Sequence, residues 1–109
     1  MAKFQTFTAE QQAIIDQVSA QMRTMYQADP HGYDHAEGSA QMDAIASEAF
    51  PKVVALMPDD IKFRASDIEQ VFPRAARAIR RHLDRLAETV DDHRQLYQDG
   101  AWYEWTSEE

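Results

Sequence analysis

Apolar residues recur along this chain at intervals of three and four, the spacing that lines one face of an α-helix. Ile15, Val18, Met22 and Met25 form the first stripe, widened by Ile14 and Tyr26. Ahead of it, Thr8-Ala9-Glu10-Gln11 has the spacing of a capping box, in which the Thr8 hydroxyl accepts from the Gln11 amide and the Gln11 side chain reaches back. A helix over about 8–27 follows, ended at Asp29-Pro30 because the residue before proline is pushed out of the α region. Met42, Ala46, Ala49, Val53 and Leu56 make a second stripe whose phase runs straight through Pro51, so Ser39 is expected to cap one kinked helix over about 39–57. Phe72, Ala76, Ile79, Leu83, Leu86, Val90 and Tyr97 form the longest seam, with His93 in phase between the last two. Ser66-Asp67-Ile68-Glu69 is a second capping box, and the predicted helix covers about 66–98, with Pro73 kinking it or splitting off a first turn. Gly100 suits the left-handed position that closes a helix, and residues 101–109 are left as a short tail holding Trp102, Tyr103 and Trp105.

These elements predict an all-α fold: one domain over 1–109, three helices packed as an antiparallel bundle, or four if a proline breaks its helix, with a long C-terminal helix and an aromatic tail. Ile61-Lys62-Phe63-Arg64 is read as an extended or irregular connection. Hydrophobic residues at 44% and charged residues at 28% are ordinary globular usage, which argues against disorder. The longest apolar run, Val53 to Met57, is far short of the ~20 residues of a membrane-spanning helix. The N-terminus shows no apolar signal region, so a cytoplasmic location is expected. Without cysteine there is neither a disulfide framework nor a thiolate metal site.

Charge changes the picture more than composition does. The formal charge is −8, yet residues 61–90 alone carry a net +3. An acidic surface repels phosphate backbones, so direct nucleic-acid binding is not expected. The basic segment supplies Arg74, Arg77 and Arg81, with Arg77, Arg81 and Arg85 at i, i+4 and i+8 and only Asp84 and Glu88 within reach on the same helix. Guanidinium forks bind carboxylate and phosphate bidentately, which makes this strip a candidate site for a small anion or an acidic partner. Trp102, Tyr103 and Trp105 are the second candidate: three large aromatics within four positions either fold back over the core or engage another chain.

A third candidate is the loop after the first helix, where Asp29, His31, Asp34, His35 and Glu37 concentrate imidazole and carboxylate. His31 and His35 have helical metal-ligand spacing, but Pro30, Gly32 and Gly38 argue for a loop. His31-Gly32-Tyr33-Asp34-His35-Ala36 resembles, over six residues, the His-x-x-x-His-Ala segment that opens the metal site of cyclic-nucleotide phosphodiesterases and related HD phosphohydrolases. The resemblance implies a divalent metal at His31, Asp34 and His35. Those families also need a downstream His-Asp dipeptide, and none occurs in this chain.

No Gly-rich phosphate loop, nucleophile elbow or zincin motif is present, and no cofactor is expected. The favoured expectation is a small acidic helical protein-interaction module that regulates, inhibits or escorts a protein partner without catalysis of its own. The rival readings are a metal-binding protein built on the His31 loop and an acidic nucleic-acid mimic. A homodimer is also expected, because a seam of 26 residues, ~39 Å long at 1.5 Å per residue, outruns its helical partners.

Overall fold

The computed structural model describes residues 2–28 and 36–108. The chain is a mixed α/β protein, which corrects the expectation of an all-α bundle. In order it forms β1 (Ala2–Lys3), α1 (Ala9–Ala28), α2 (Ala36–Ala55), β2 (Ile61–Arg64), α3 (Ala65–Glu69), a 3-10 turn at Pro73–Ala75, α4 (Ala76–Glu88), β3 (Arg94–Asp99) and β4 (Trp102–Ser107). The sheet order is β1-β2-β4-β3, with β1 parallel to β2 and the other neighbours antiparallel.

The first helix forms within a residue of its expected bounds, whereas α2 begins and ends earlier than the expected 39–57, so Ser39 lies inside the helix and does not cap it, and Leu56 falls beyond its end. The Thr8–Gln11 box closes reciprocally, with the Gln11 amide donating to Thr8 Oγ1 at 3.2 Å and the Thr8 amide to Gln11 Oε1 at 2.9 Å. Gln11 is itself fully buried, because its amide nitrogen donates to the Val53 carbonyl at 2.8 Å and ties α1 to α2. Pro51 lies inside α2, so the second helix is continuous through it.

The predicted helix over 66–98 does not exist as one element. Phe72, at φ −134 and ψ 61 ahead of Pro73, lies outside the α region and separates α3 from the 3-10 turn and α4. At the other end, Thr89 leaves the α region at φ −87, ψ 123, and its hydroxyl and amide both bond to the Arg85 carbonyl. Asp91 then accepts from the amides of His93 and Arg94 at 2.8 and 3.2 Å, a local turn that competes with helix. Val90 is 87% exposed and Tyr97 58% exposed, so their phase with Leu83 was coincidental.

The tail is likewise a strand. Gly100, at φ +62, and Ala101 form a two-residue hairpin loop between the paired Asp99 and Trp102. A glycine in the first central position is what a primed hairpin turn favours. Asp60, at φ +63, makes the other sharp corner, and its amide donates to the Trp105 carbonyl at 2.9 Å.

The helices pack on one face of the sheet. Val53 and Val54 of α2 and Met57 just after it meet Phe63 of β2, Ile68 of α3, Phe72 ahead of the 3-10 turn, Ile79 and Leu83 of α4, and Leu96 of β3, each at most 2% exposed. Side chains alternate along each strand, so Leu96, Tyr103, Trp105 and Phe63 line this inner face. Lys62, Arg64, Tyr97, Asp99, Trp102 and Glu104 consequently share the outer one.

Candidate functional site

Burial of Ile79 and Leu83 fixes the rotation of α4 and turns Arg77, Arg81 and Arg85 to the opposite, exposed side. Arg74 precedes them on the 3-10 turn and is braced against α2, its Nη1 donating to Ser39 Oγ at 3.0 Å and to Asp43 Oδ1 at 3.1 Å. Arg74, Arg77 and Arg81 surround an open concavity of about 440 Å³ whose far wall includes Ser47 of α2. The structure therefore brings together the three arginines that the sequence singles out.

Their partners differ. Arg80 pairs with Glu69 at 2.7 Å. Among the described residues, no carboxylate lies within ion-pair distance of Arg77, Arg81 or Arg85. Like charges at i and i+4 on a helix destabilise it by ~0.2–0.5 kcal/mol per pair, so this strip stands against the helix that carries it. Its field reaches inward to His82, whose ring meets Phe50 edge-on at a centroid distance of 5.4 Å. Burial, and then the charge of Arg85, hold the His82 pKa below the ordinary histidine value.

The aromatic residues divide between the two faces of the sheet. Tyr103 and Trp105 are 6% and 7% exposed and belong to this chain's own core. The Trp105 indole N–H donates to the Val54 carbonyl at 2.9 Å, and the Arg94 guanidinium stacks on its ring at 4.3 Å. The Tyr103 hydroxyl donates to Asp84 Oδ1 at 2.8 Å and accepts from Gln98 Nε2 at 3.3 Å. Burial, and then the bond to Asp84, push its pKa up to about 12, so it stays a neutral donor at any physiological pH. This hydroxyl lies on a shallow cleft of about 330 Å³ shared with Arg64, Ser66, Arg80, Asp84 and Gln98. Tyr103, Asp84 and Gln98 bond to one another and Arg80 pairs with Glu69, which suits a structural network better than a reactive centre. Trp102 is half-buried on the outer face, flanked by Arg64 at 4.8 Å and Lys3 at 5.1 Å from its ring centroid.

Sequence reasoning missed Arg94. Its guanidinium donates to the carbonyls of Ala55, the last residue of α2, and Met57, in the turn after it, and to Asp59 Oδ1 at 2.9 Å. Asp59 also accepts from the Ser107 hydroxyl; that bond, and then Arg94, hold its carboxyl below the usual range. Read as a strand, Arg94-Gln95-Leu96 places Arg94 on the same inner face as Leu96, the one signal that could have found it.

His31, Asp34 and His35, the residues of the metal reading, lie outside the described residues. Among the described residues no three His, Asp or Glu side chains converge as metal ligands. His93, which the seam places inward, stands exposed in the loop before β3. Among the described residues no helix is long and apolar enough to cross a membrane. Compared with known proteins, the chain matches no family model, no curated protein and no solved structure.

Proposed function

We propose that this chain is a protein-interaction module that docks through the arginine strip of α4 onto an acidic segment of a protein partner, and so regulates, inhibits or escorts it. The observation that carries this reading is the row Arg77, Arg81 and Arg85, exposed at i, i+4 and i+8 and without a carboxylate partner among the described residues, on a chain of net charge −8. A carboxylate row at matching spacing relieves the repulsion along the helix and gains charge-assisted hydrogen bonds. Arg74 is held by α2, so the concavity is pre-organised on one side and less side-chain entropy is lost on docking. The surrounding acidic surface repels nucleic acid and restricts the strip to short anionic segments.

A fluorescently labelled glutamate-rich peptide tests the reading by anisotropy. Binding is expected to weaken as salt rises through ~0.15 M, where the screening length is about 8 Å. Arg77→Glu with Arg81→Glu should lower affinity by tenfold or more with the fold unchanged by circular dichroism. Equal binding of that variant and the native chain, or tighter binding of a DNA oligonucleotide than of the peptide, would overturn the proposal.

A further inference from the structure

The outer face of the sheet is charged with opposite signs on its two halves. β1 and β2 present Lys3, Lys62 and Arg64, whereas β4 and β3 present Glu104 and Asp99. Trp102 and Tyr97 stand among the acids, and every residue of this set is exposed or half-buried. We propose that this face is the contact between two copies of the chain, packed sheet on sheet about a two-fold axis that runs along the strands between β2 and β4.

The strand order and register select that axis. With the order β1-β2-β4-β3, rotation about it lays β2 of one copy over β4 of the other and β1 over β3, at the same height along the strands. Pairing of Phe63 with Tyr103 and of Arg64 with Trp102 sets Lys62 level with Glu104, and Lys3 and Tyr97 lie in that same row. Lys62 then faces the partner's Glu104, Lys3 faces the partner's Tyr97 and Arg64 faces the partner's Trp102. The first is an ion pair and the other two are cation–π contacts, each formed twice by symmetry. A two-fold axis across the strands would instead set β2 over β2 and bring Lys62 against its own copy. The pattern is therefore self-complementary in one orientation, as an isologous interface requires.

Sheets packed this way sit ~10 Å apart with strands within about 30° of alignment, which keeps the central residues opposed. With two residues in β1, four in β2 and six in each of β3 and β4, at ~4.8 Å strand spacing and ~3.3 Å per residue the face covers roughly 300 Å². That is well under half of the ~800 Å² that each partner of a stable complex buries, and both copies carry a charge of −8. The association is accordingly reversible and concentration-dependent.

This inference is independent of the α4 strip, and its test reads a different quantity. Sedimentation velocity of the full chain over roughly 10 µM to 1 mM should show a dimer growing with concentration, and Arg77→Glu with Arg81→Glu should leave it unchanged. Lys62→Glu and Glu104→Lys, each alone, oppose like charges at both halves of the interface and should weaken self-association tenfold or more. Mixed in equal amounts, the two variants meet opposite charges at both halves, and the dimer should return as a heterodimer. That recovery also shows that both variants are folded. A native chain that remains monomeric over the whole range, variants that dimerise as well as the native chain, or a mixture that stays monomeric would each overturn the proposal.

Discussion

Replacing Arg94 by alanine removes four contacts at once. Its guanidinium donates to the Ala55 and Met57 carbonyls and to Asp59, and it covers the face of Trp105. The Ala55 carbonyl is at the C-terminal end of α2, where helical carbonyls lack intrahelical partners, and the Met57 carbonyl lies in the turn just beyond it; a cation there also meets the negative end of the helix dipole. Charge-assisted bonds contribute about 1.5–3 kcal/mol each when shielded. Arg94 and Asp59 retain 29% and 34% side-chain exposure, so water replaces part of what is lost. The low end of the range applies, and the cluster as a whole is worth about 2–4 kcal/mol. At about 4 °C per kcal/mol for a domain of this size, Arg94→Ala should lower Tm by roughly 8–16 °C. Arg94→Lys keeps the charge beside Asp59 but has no fork to span two carbonyls, and should recover less than half of the loss. Calorimetry or thermal circular dichroism reads both variants, with Arg77→Ala as a surface control expected within ~0.5 kcal/mol of the native chain. A drop below ~4 °C for Arg94→Ala, equivalent to about 1 kcal/mol, would refute the view that this residue joins the sheet to α2.

The structure separates two leucines that the sequence seam treats alike. Leu83 is fully buried and should cost about 2–5 kcal/mol as Leu83→Ala in urea unfolding, whereas half-buried Leu86 should cost less than half as much. Equal losses would mean that α4 is rotated from its described position. Stability should also fall in acid in two separate windows. The His82 pKa is lowered in the fold, so the unfolded chain takes up that proton first and stability declines as pH falls below 6.5; His82→Gln should flatten this limb. The Asp59 pKa is lowered too, so its contribution is present above 3.8 and is lost as pH falls through the folded value; Asp59→Asn should shrink that lower limb, which Asp91, lowered by the amides of His93 and Arg94, shares, and leave the His82 limb in place.

Local periodicity and capping chemistry were enough to place α1, and periodicity alone gave the existence and continuity of α2 but neither its start nor its cap, since Ser39 lies inside the helix. The Thr8–Gln11 box and the stripe from Ile15 to Met25 locate α1 to within a residue at each end, and the phase across Pro51 identifies α2 as a single helix. The exposure of Arg77, Arg81 and Arg85 follows equally from their phase against Ile79 and Leu83. These features depend on residues three and four apart, which the chain itself brings together. The sheet depends on partners far away in sequence. Phe63 pairs with Tyr103 across 40 positions, and nothing local to Ile61–Arg64 indicates that a strand will be available there. In the C-terminal third a spacing of three and four overlaid a true alternation, Leu96 inward and Tyr97 outward, then Tyr103 and Trp105 inward between Trp102 and Glu104. Helix and strand patterns of so few apolar residues can coincide, and Asp99-Gly100 was equally readable as a helix stop or a hairpin turn. Tertiary packing decided between them. Leu96 and Trp105 bury against α2 and α4 only as neighbouring strands, and that pairing in turn aligns Lys3, Lys62 and Arg64 opposite in charge to Glu104 and Asp99 on one face. Such an arrangement of charge arises only once distant segments pair, so tertiary structure alone created it.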